Sequence, residues 1–585
     1  MMLGRSHRAA PQPRRNVMPK RPVAVAEADL AIVNAQVLTM DRGRGSNRIP
    51  ADAVAVGGGR ILAVGSRDVA ALTGPRTRRI DARGGAVLPG INDAHLHLVG
   101  ASMAAFGYLD VSAPIAPGWD AVARRLEGAE PGEDGWVRAR GWDDVLIGPA
   151  AGQILDVRPD TPVVAFDSTG HQLVANREAL RRAGLAASTP DPAGGVIVRG
   201  EGGEPTGLFQ DAAMEIVNRA LPPVPAATLR KAVLAMQRRL HTQGITSLTE
   251  PGLGPASAGL LDGSGSVEAI RLLGDLAVSG ELMLRVAVLM LFAGTGGADS
   301  AAIGAGLASR LRHAYTDRGI APERLRIAGV KVFADGIPRS GTAWMAEPYG
   351  DHCTRGSLVI AGATEQDRVE ELRHILRLVD RAGLQAGIHA TGDAATEAAA
   401  DALAAATDPG RRHYIIHGAF STPETTLARM AQHGIGYSTN PLIRHGAGDA
   451  MRRLLGEERF ARHQPLRTAA TAGVPFTLAS DAPVASTDWR ETIVAAVRRG
   501  TRTSPGIPGD PEGISGLEAL AAMTADAAWQ DHAEQFKGTI APGMAADLCV
   551  LAGQWPDDDR IEELLETDVA LTIADGVPAR EHAPR

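Results

Sequence analysis

Five stretches of this chain end an apolar run with side chains that bind metals or move protons. The first run, Val87-Leu88-Pro89-Gly90-Ile91, leads into Asp93-Ala94-His95-Leu96-His97. Another reads Gly329-Val330-Lys331-Val332-Phe333-Ala334-Asp335-Gly336, and three more end in His389, His417 and Asp481. Alternation along a strand puts His95 and His97 on one face, and two imidazoles on one face are natural ligands for a zinc-like ion. Any one of these residues alone reads as an ordinary core histidine or a structural acid. Together they offer nitrogen and oxygen donors without a thiolate, which suits zinc, with manganese, iron or cobalt as alternatives. Lys331 is the odd member. Its ammonium has no lone pair for a metal, and burial beside cations would make it neutral. The competing reading is a structural cation paired with Asp335.

These residues meet only if the runs that carry them are parallel strands of one sheet. Eight strand candidates occur in the middle of the chain: Val87–Ile91, Gly244–Thr249, Leu284–Phe292, Arg326–Phe333, Leu384–His389, His413–His417, Gly434–Thr439 and Val474–Ser480. Helical stretches such as Glu365–Ala382 and Thr422–His433 separate them, the alternation of βα units. Eight such units predict a TIM-type (β/α)8 barrel over residues 87–529, with its chemistry where the strands end. The gap between the first two strands is far beyond an ordinary connection. It carries strand-like runs of its own, Trp136–Arg140 and Val163–Asp167, which predicts an inserted subdomain over 104–225. Short β-rich runs at both ends predict a small β-sandwich domain built from residues 28–86 and 530–580. Residues 1–27 are basic and proline-containing with no apolar segment, so they read as a disordered tail rather than an export signal, and Met18 is an alternative start.

Composition excludes several classes of function. The chain has 585 residues, of which 44% are hydrophobic and 22% charged, values ordinary for a globular enzyme. A net charge of −7 with only 4% aromatics offers no footprint for nucleic acid or an anionic membrane. The apolar run Val286–Ala293 is too short for the about 20 residues that a bilayer span requires. Two cysteines far apart rule out a disulfide framework and a cysteine zinc site. A cytoplasmic location and, by default, a homodimer are the expectations.

The strand-end set resembles the amidohydrolase superfamily in its binuclear form. Flanking strings are similar to the branch that includes N-substituted formamide deformylases: Arg140-Gly141-Trp142-Asp143, Asp167-Ser168-Thr169-Gly170-His171, Lys331-Val332-Phe333-Ala334-Asp335-Gly336, and Gly538-Thr539-Ile540-Ala541-Pro542-Gly543-Met544-Ala545-Ala546-Asp547-Leu548. The resemblance covers about residues 28 to 577. Two departures stand out. The sixth strand reads Ile415-Ile416-His417 where many relatives have Ile-Glu-His, and Ile337-Pro338-Arg339-Ser340-Gly341-Thr342 replaces a common Ser-x-Gly-Ser-Arg-Thr. Both leave the ligand positions intact and bear on the substrate pocket.

The resemblance implies that two divalent ions, zinc first among them, are held by His95, His97 and Asp481 on one side and by His389 and His417 on the other. Lys331, carboxylated by carbon dioxide, would bridge them. Such a centre lowers the pKa of water from about 15.7 to about 7. The hydroxide would attack a polarised carbonyl, with Asp481 as general base passing the proton to the leaving nitrogen. The implied reaction is cleavage of a C–N bond in a small amide, formamide or cyclic amide. His171 would face the site and polarise the carbonyl, against its reading as a surface histidine. Trp142 and Asp143 are candidates to line the pocket, although a tryptophan often simply packs a core. Arg444 could hold a substrate carboxylate, against a solvated loop arginine. Glu250, Asp335 and Asp393 also end strands and read as supporting groups. A deaminase or isomerase would share the same metal residues, and a non-catalytic scaffold should have lost some of them.

Overall fold

A computed structural model describes residues 27–41, 51–350, 354–406, 408–419 and 424–579. The tail expected over 1–27 therefore lies, but for Glu27, outside the described residues. Its central element is an eight-stranded parallel sheet: β1 (Ile91–Asp93), β2 (Ile245–Leu253), β3 (Arg285–Met290), β4 (Leu325–Phe333), β5 (Gln385–Ala390), β6 (Tyr414–His417), β7 (Gly436–Thr439) and β8 (Phe476–Leu478). The strands are neighbours in chain order. The sheet curls into a TIM-type barrel whose seam is sealed just past β1 and β8. There Asp481 N–H donates to His95 O at 2.8 Å, and His97 N–H donates to Ala482 O at 2.9 Å.

Helices pack outside, as the apolar faces of the βα units require. Glu365–Arg381 shows how sequence sets such an element. Thr364 and Asp367 form a capping box at its start, and Leu372, Ile375, Leu376 and Val379 form the buried stripe at helical spacing. Among the described residues, no helix is long and apolar enough to cross a membrane.

The run Val87–Ile91 is not one barrel strand, as the sequence suggested. Ala86–Pro89 pairs with Gln36–Val37 and Leu548–Leu551 in a separate five-stranded sheet, and the barrel begins at Ile91. Gly90 makes the handover. A Cβ there would stand 2.2 Å from Thr246 Oγ1, so only glycine lets the chain pass β2 this closely.

That five-stranded sheet and a four-stranded sheet (Arg60–Val64, Val54–Gly57, Leu30–Val33, Arg78–Asp81) share one core of Leu30, Ile32, Val54, Ile61, Val87, Leu548 and Ile573. The boundary drawn at residue 530 needs correction, because residues 530–537 belong to the barrel floor. Gln530 bonds to Ala94 O and Thr477, and buried Asp531 accepts from Asn92 Nδ2, Thr249 Oγ1 and Lys537 Nζ. Between Leu98–Phe106 and Ala226–Thr242 the chain builds a six-stranded sheet ordered Gly195–Arg199, Pro205–Asp211, Gln172–Ala175, Val163–Asp167, Val137–Trp142 and Leu109–Asp110.

Candidate metal centre

The six candidate ligands come together at the C-terminal mouth of the barrel. His95 and His97 follow β1, and both are buried with Asp481 from beyond β8. One ligand atom from each of these three lies within 4.8 Å of the others. His95 Nε2 stands 3.1 Å and His97 Nε2 3.5 Å from Asp481 Oδ1. The ring of His417, at the end of β6, is 5.6 Å from that of His95 and 4.7 Å from that of His389 on β5. His417 and Asp481 have φ of +71° and +57°. Left-handed backbone at two non-glycine residues costs about 1–3 kcal/mol each and collects at functional sites.

The hydrogen bonds leave a donor set that fits cations. His417 Nδ1 donates to Asn440 Oδ1 at 2.8 Å, and Asn440 Nδ2 anchors that amide on Ala479 O, so His417 Nε2 keeps its lone pair. His389 Nε2 donates to Gly336 O at 3.1 Å, which leaves Nδ1 as its free nitrogen. His95 Nδ1 is buried without a hydrogen bond, while Nε2 faces the Asp481 carboxylate at 3.1 Å. An unsatisfied buried polar atom costs about 1–3 kcal/mol, and a cation would relieve that cost. Burial holds the imidazoles of His95 and His389 well below their ordinary pKa and brings His417 down to about 4, so all three are neutral ligands near pH 7. Burial opposes ionisation of Asp481. The His95 and His97 rings facing it nevertheless hold its carboxyl well below the usual range.

Lys331 is fully buried on β4, its Nζ 4.8 Å from the centre of the Phe333 ring. Burial brings its pKa down to about 7 despite the attraction of Asp481, so a neutral amine is available at physiological pH. The reading of Lys331 as the partner of Asp335 does not hold. Asp335 spends its oxygens on the backbone N–H groups of Trp344, Thr391 and Gly392 and thereby pins the loops after β4 and β5.

The other expected residues divide. His171 borders the cleft, its ring 6.0 Å from that of His389. Trp142 does not line it. The indole is fully buried, lies 5.3 Å from the Trp119 ring and donates to Ala165 O, so it is core of the inserted subdomain. Asp143 caps a short helix by accepting from Val145 N and pairs with Arg339 at 2.8 Å. Arg444 is no carboxylate clamp. It sits one turn into the helix Pro441–Leu455, faces Phe460 at 4.3 Å and donates to the carbonyls of Phe460, His463 and Arg499. Glu250 Oε1 lies 3.7 Å from His97 Nδ1 while Oε2 accepts Val99 N–H. Asp393 accepts from Ala346 N, at the start of its own helix.

Sequence reasoning missed Asn440, Gln464 and Asp211, and it tied Arg339 to the pocket only through its string, without a role. The cleft has about 110 Å³ of room, and Arg339, Asn440 and Gln464 line it with Ile337, Pro338, Ile443, Ala447, Met451 and Val484. Apart from the metal-side residues the wall is therefore mostly apolar. Its arginine, Arg339, is already neutralised by Asp143 and Asp144.

The sequence profile of the amidohydrolase family matches residues 78–580. The protein LONG AFTER FAR-RED 3 of Arabidopsis thaliana is 30% identical over 95% of this chain and 92% of its own length. The N-substituted formamide deformylase of Arthrobacter pascens is 29% identical over 94% of this chain and 98% of its own. Among solved structures, a metal-dependent hydrolase from Pyrococcus horikoshii superposes with a TM-score of 0.69 at 21% identity, covering 91% of this chain and 99% of that one.

Proposed function

Since this chain belongs to the amidohydrolase family, we propose that it is a divalent-metal-dependent hydrolase that cleaves the C–N bond of a small, uncharged amide bearing an apolar group. The observation that supports this most is the set of buried groups turned to one point: the unbonded Nδ1 and the Asp481-facing Nε2 of His95, one nitrogen each of His389 and His417 that no hydrogen bond occupies, and the ionised carboxylate of Asp481. In this reading His95, His97 and Asp481 would hold one ion, His389 and His417 would hold a second, and Lys331, once carboxylated, would serve both. When bound, the ions, most simply zinc, supply Lewis-acid polarisation and make water a competent nucleophile at neutral pH.

The chain's own residues do the rest. An Asp481 oxygen accepts the proton of the attacking water and returns it to the leaving nitrogen. His171 reaches the amide from the inserted subdomain. The apolar wall excludes water and receives the substituent, and the paired Arg339 offers no free charge to a substrate carboxylate.

A direct test offers the metal-loaded protein N-hexylformamide, N-acetylhexylamine, a cyclic amide and N-formylmethionine. Turnover of at least one neutral amide, tenfold or more above the carboxylate-bearing one, is the expected result. A folded, metal-loaded protein that hydrolyses none of them would contradict the proposal.

A further inference from the structure

The hydrolytic reading gives no role to Asp211, a buried carboxylate in contact with His171. Asp211 ends the strand Pro205–Asp211 of the inserted subdomain with φ of +50°, a conformation that costs a non-glycine residue about 1–3 kcal/mol. Its backbone N–H donates to His171 O at 2.8 Å, and its Oδ1 accepts the His171 Nδ1 proton at 2.8 Å. Its other oxygen lies 2.9 Å from Thr342 Oγ1, in the loop after β4. The Thr342 hydroxyl oxygen accepts Ile337 N–H at 3.0 Å, which fixes the side chain. Its proton has two acceptors in reach, Asp211 Oδ2 and Ile337 O at 3.1 Å; the charged carboxylate is the stronger.

The turn that carries His171 is equally fixed. Asp167 Oδ1 accepts the backbone N–H groups of His171 and Gln172, each at 3.1 Å. Gly170, at φ +74°, packs on Leu261, where a Cβ would come within 2.1 Å. A histidine on an ordinary surface turn needs none of this. Here three separate segments, the turn at 167–172, the end of the strand at 211 and the loop at 337–342, converge to hold one imidazole at the rim of the cleft.

We propose that Asp211 is the positioning residue for His171: it keeps a proton on Nδ1 and fixes the ring, so that Nε2 meets the reacting amide, while Thr342 braces the carboxylate from the barrel side. Nδ1 carries a proton in either charge state of the ring, so the assignment does not depend on titration. What Nε2 acts on rests on the hydrolytic reading above; the tautomer does not. The inserted subdomain then contributes a working group to the barrel's site, and one carboxylate couples the two.

Ring-15N-histidine NMR of the zinc-loaded protein, with the His171→Gln variant supplying the assignment, tests the tautomer directly. A proton on His171 Nδ1 is expected; a ring protonated at Nε2 alone overturns the proposal, whether or not any amide is hydrolysed. Kinetics with N-hexylformamide test the consequence. Loss of a group that orients a working histidine typically costs about 10–100-fold, so Asp211→Asn should lower kcat by that factor with KM changed less than threefold. Added to His171→Gln, the same change should cost no more than twofold, because Asp211 acts through the ring. An unchanged kcat, or losses that multiply in the double variant, overturn the proposal. If Asp211→Asn does not fold, Thr342→Val decides. It should keep the Nδ1 proton and lose less than tenfold in kcat, and loss of that proton contradicts the arrangement.

Discussion

His95 and Asp481 meet twice, through a side-chain contact of 3.1 Å and through a backbone hydrogen bond of 2.8 Å that seals the barrel between its first and last strands. The metal-side carboxylate and the closing seam are therefore one structure. An ion held there should clamp the seam. Binding at a hundredfold excess over Kd contributes about 2.7 kcal/mol, so chelation is expected to lower Tm by about 2 °C in a chain of 585 residues. Calorimetry with and without chelator checks this, and an unchanged Tm would show that the seam carries no ion.

Lys331 is expected to carry a carbamate when metal is present. Its burial makes the amine available near neutral pH, and the neighbouring imidazoles are neutral. Lys331→Ala should lose at least a hundredfold in kcat, and a short carboxylic acid at high concentration should restore part of it. Crystallographic detection of a bare amine at Lys331 in active, metal-loaded protein would contradict the bridge.

Asp481→Asn keeps the shape and one oxygen while removing the proton acceptor. General base catalysis is worth about 10²–10⁴-fold, so kcat should fall by that much while most metal stays bound. Activity within a few-fold of wild type at full occupancy would leave Asp481 a ligand only, with the proton travelling elsewhere.

Arg444→Met should cost stability rather than binding. The guanidinium bonds to three carbonyls and faces Phe460, and losing bonds to a charged group costs about 1.5–3 kcal/mol. Urea denaturation should show that loss with KM within twofold of wild type. A raised KM at unchanged stability would return Arg444 to the substrate.

The eight strands and the six strand-end residues were legible because alternation along a strand and the barrel's strand ends are local signals. Gly90 was not. The apolar run Val87–Ile91 is continuous, and only the approach of Thr246 from β2 shows where one sheet hands over to another. Arg444 misled because it was read as a loop residue, although Pro441 opens a helix there and the helix face decides where the arginine points. For Trp142 the plain alternative holds: a large indole more often fills a core than a pocket wall, and it lies in the core of the inserted subdomain. Asp211 gave no signal at all, and Arg339 only its place in the string Ile337–Thr342. Their meaning lies in contacts to residues 40 and almost 200 positions away, which no local pattern encodes.

Metal content measured against turnover probes the central claim most directly. Purified protein should hold two divalent ions per chain by elemental analysis, lose hydrolysis of N-hexylformamide when a chelator removes them, and regain it when zinc is returned. Full activity in protein stripped of metal would contradict the claim.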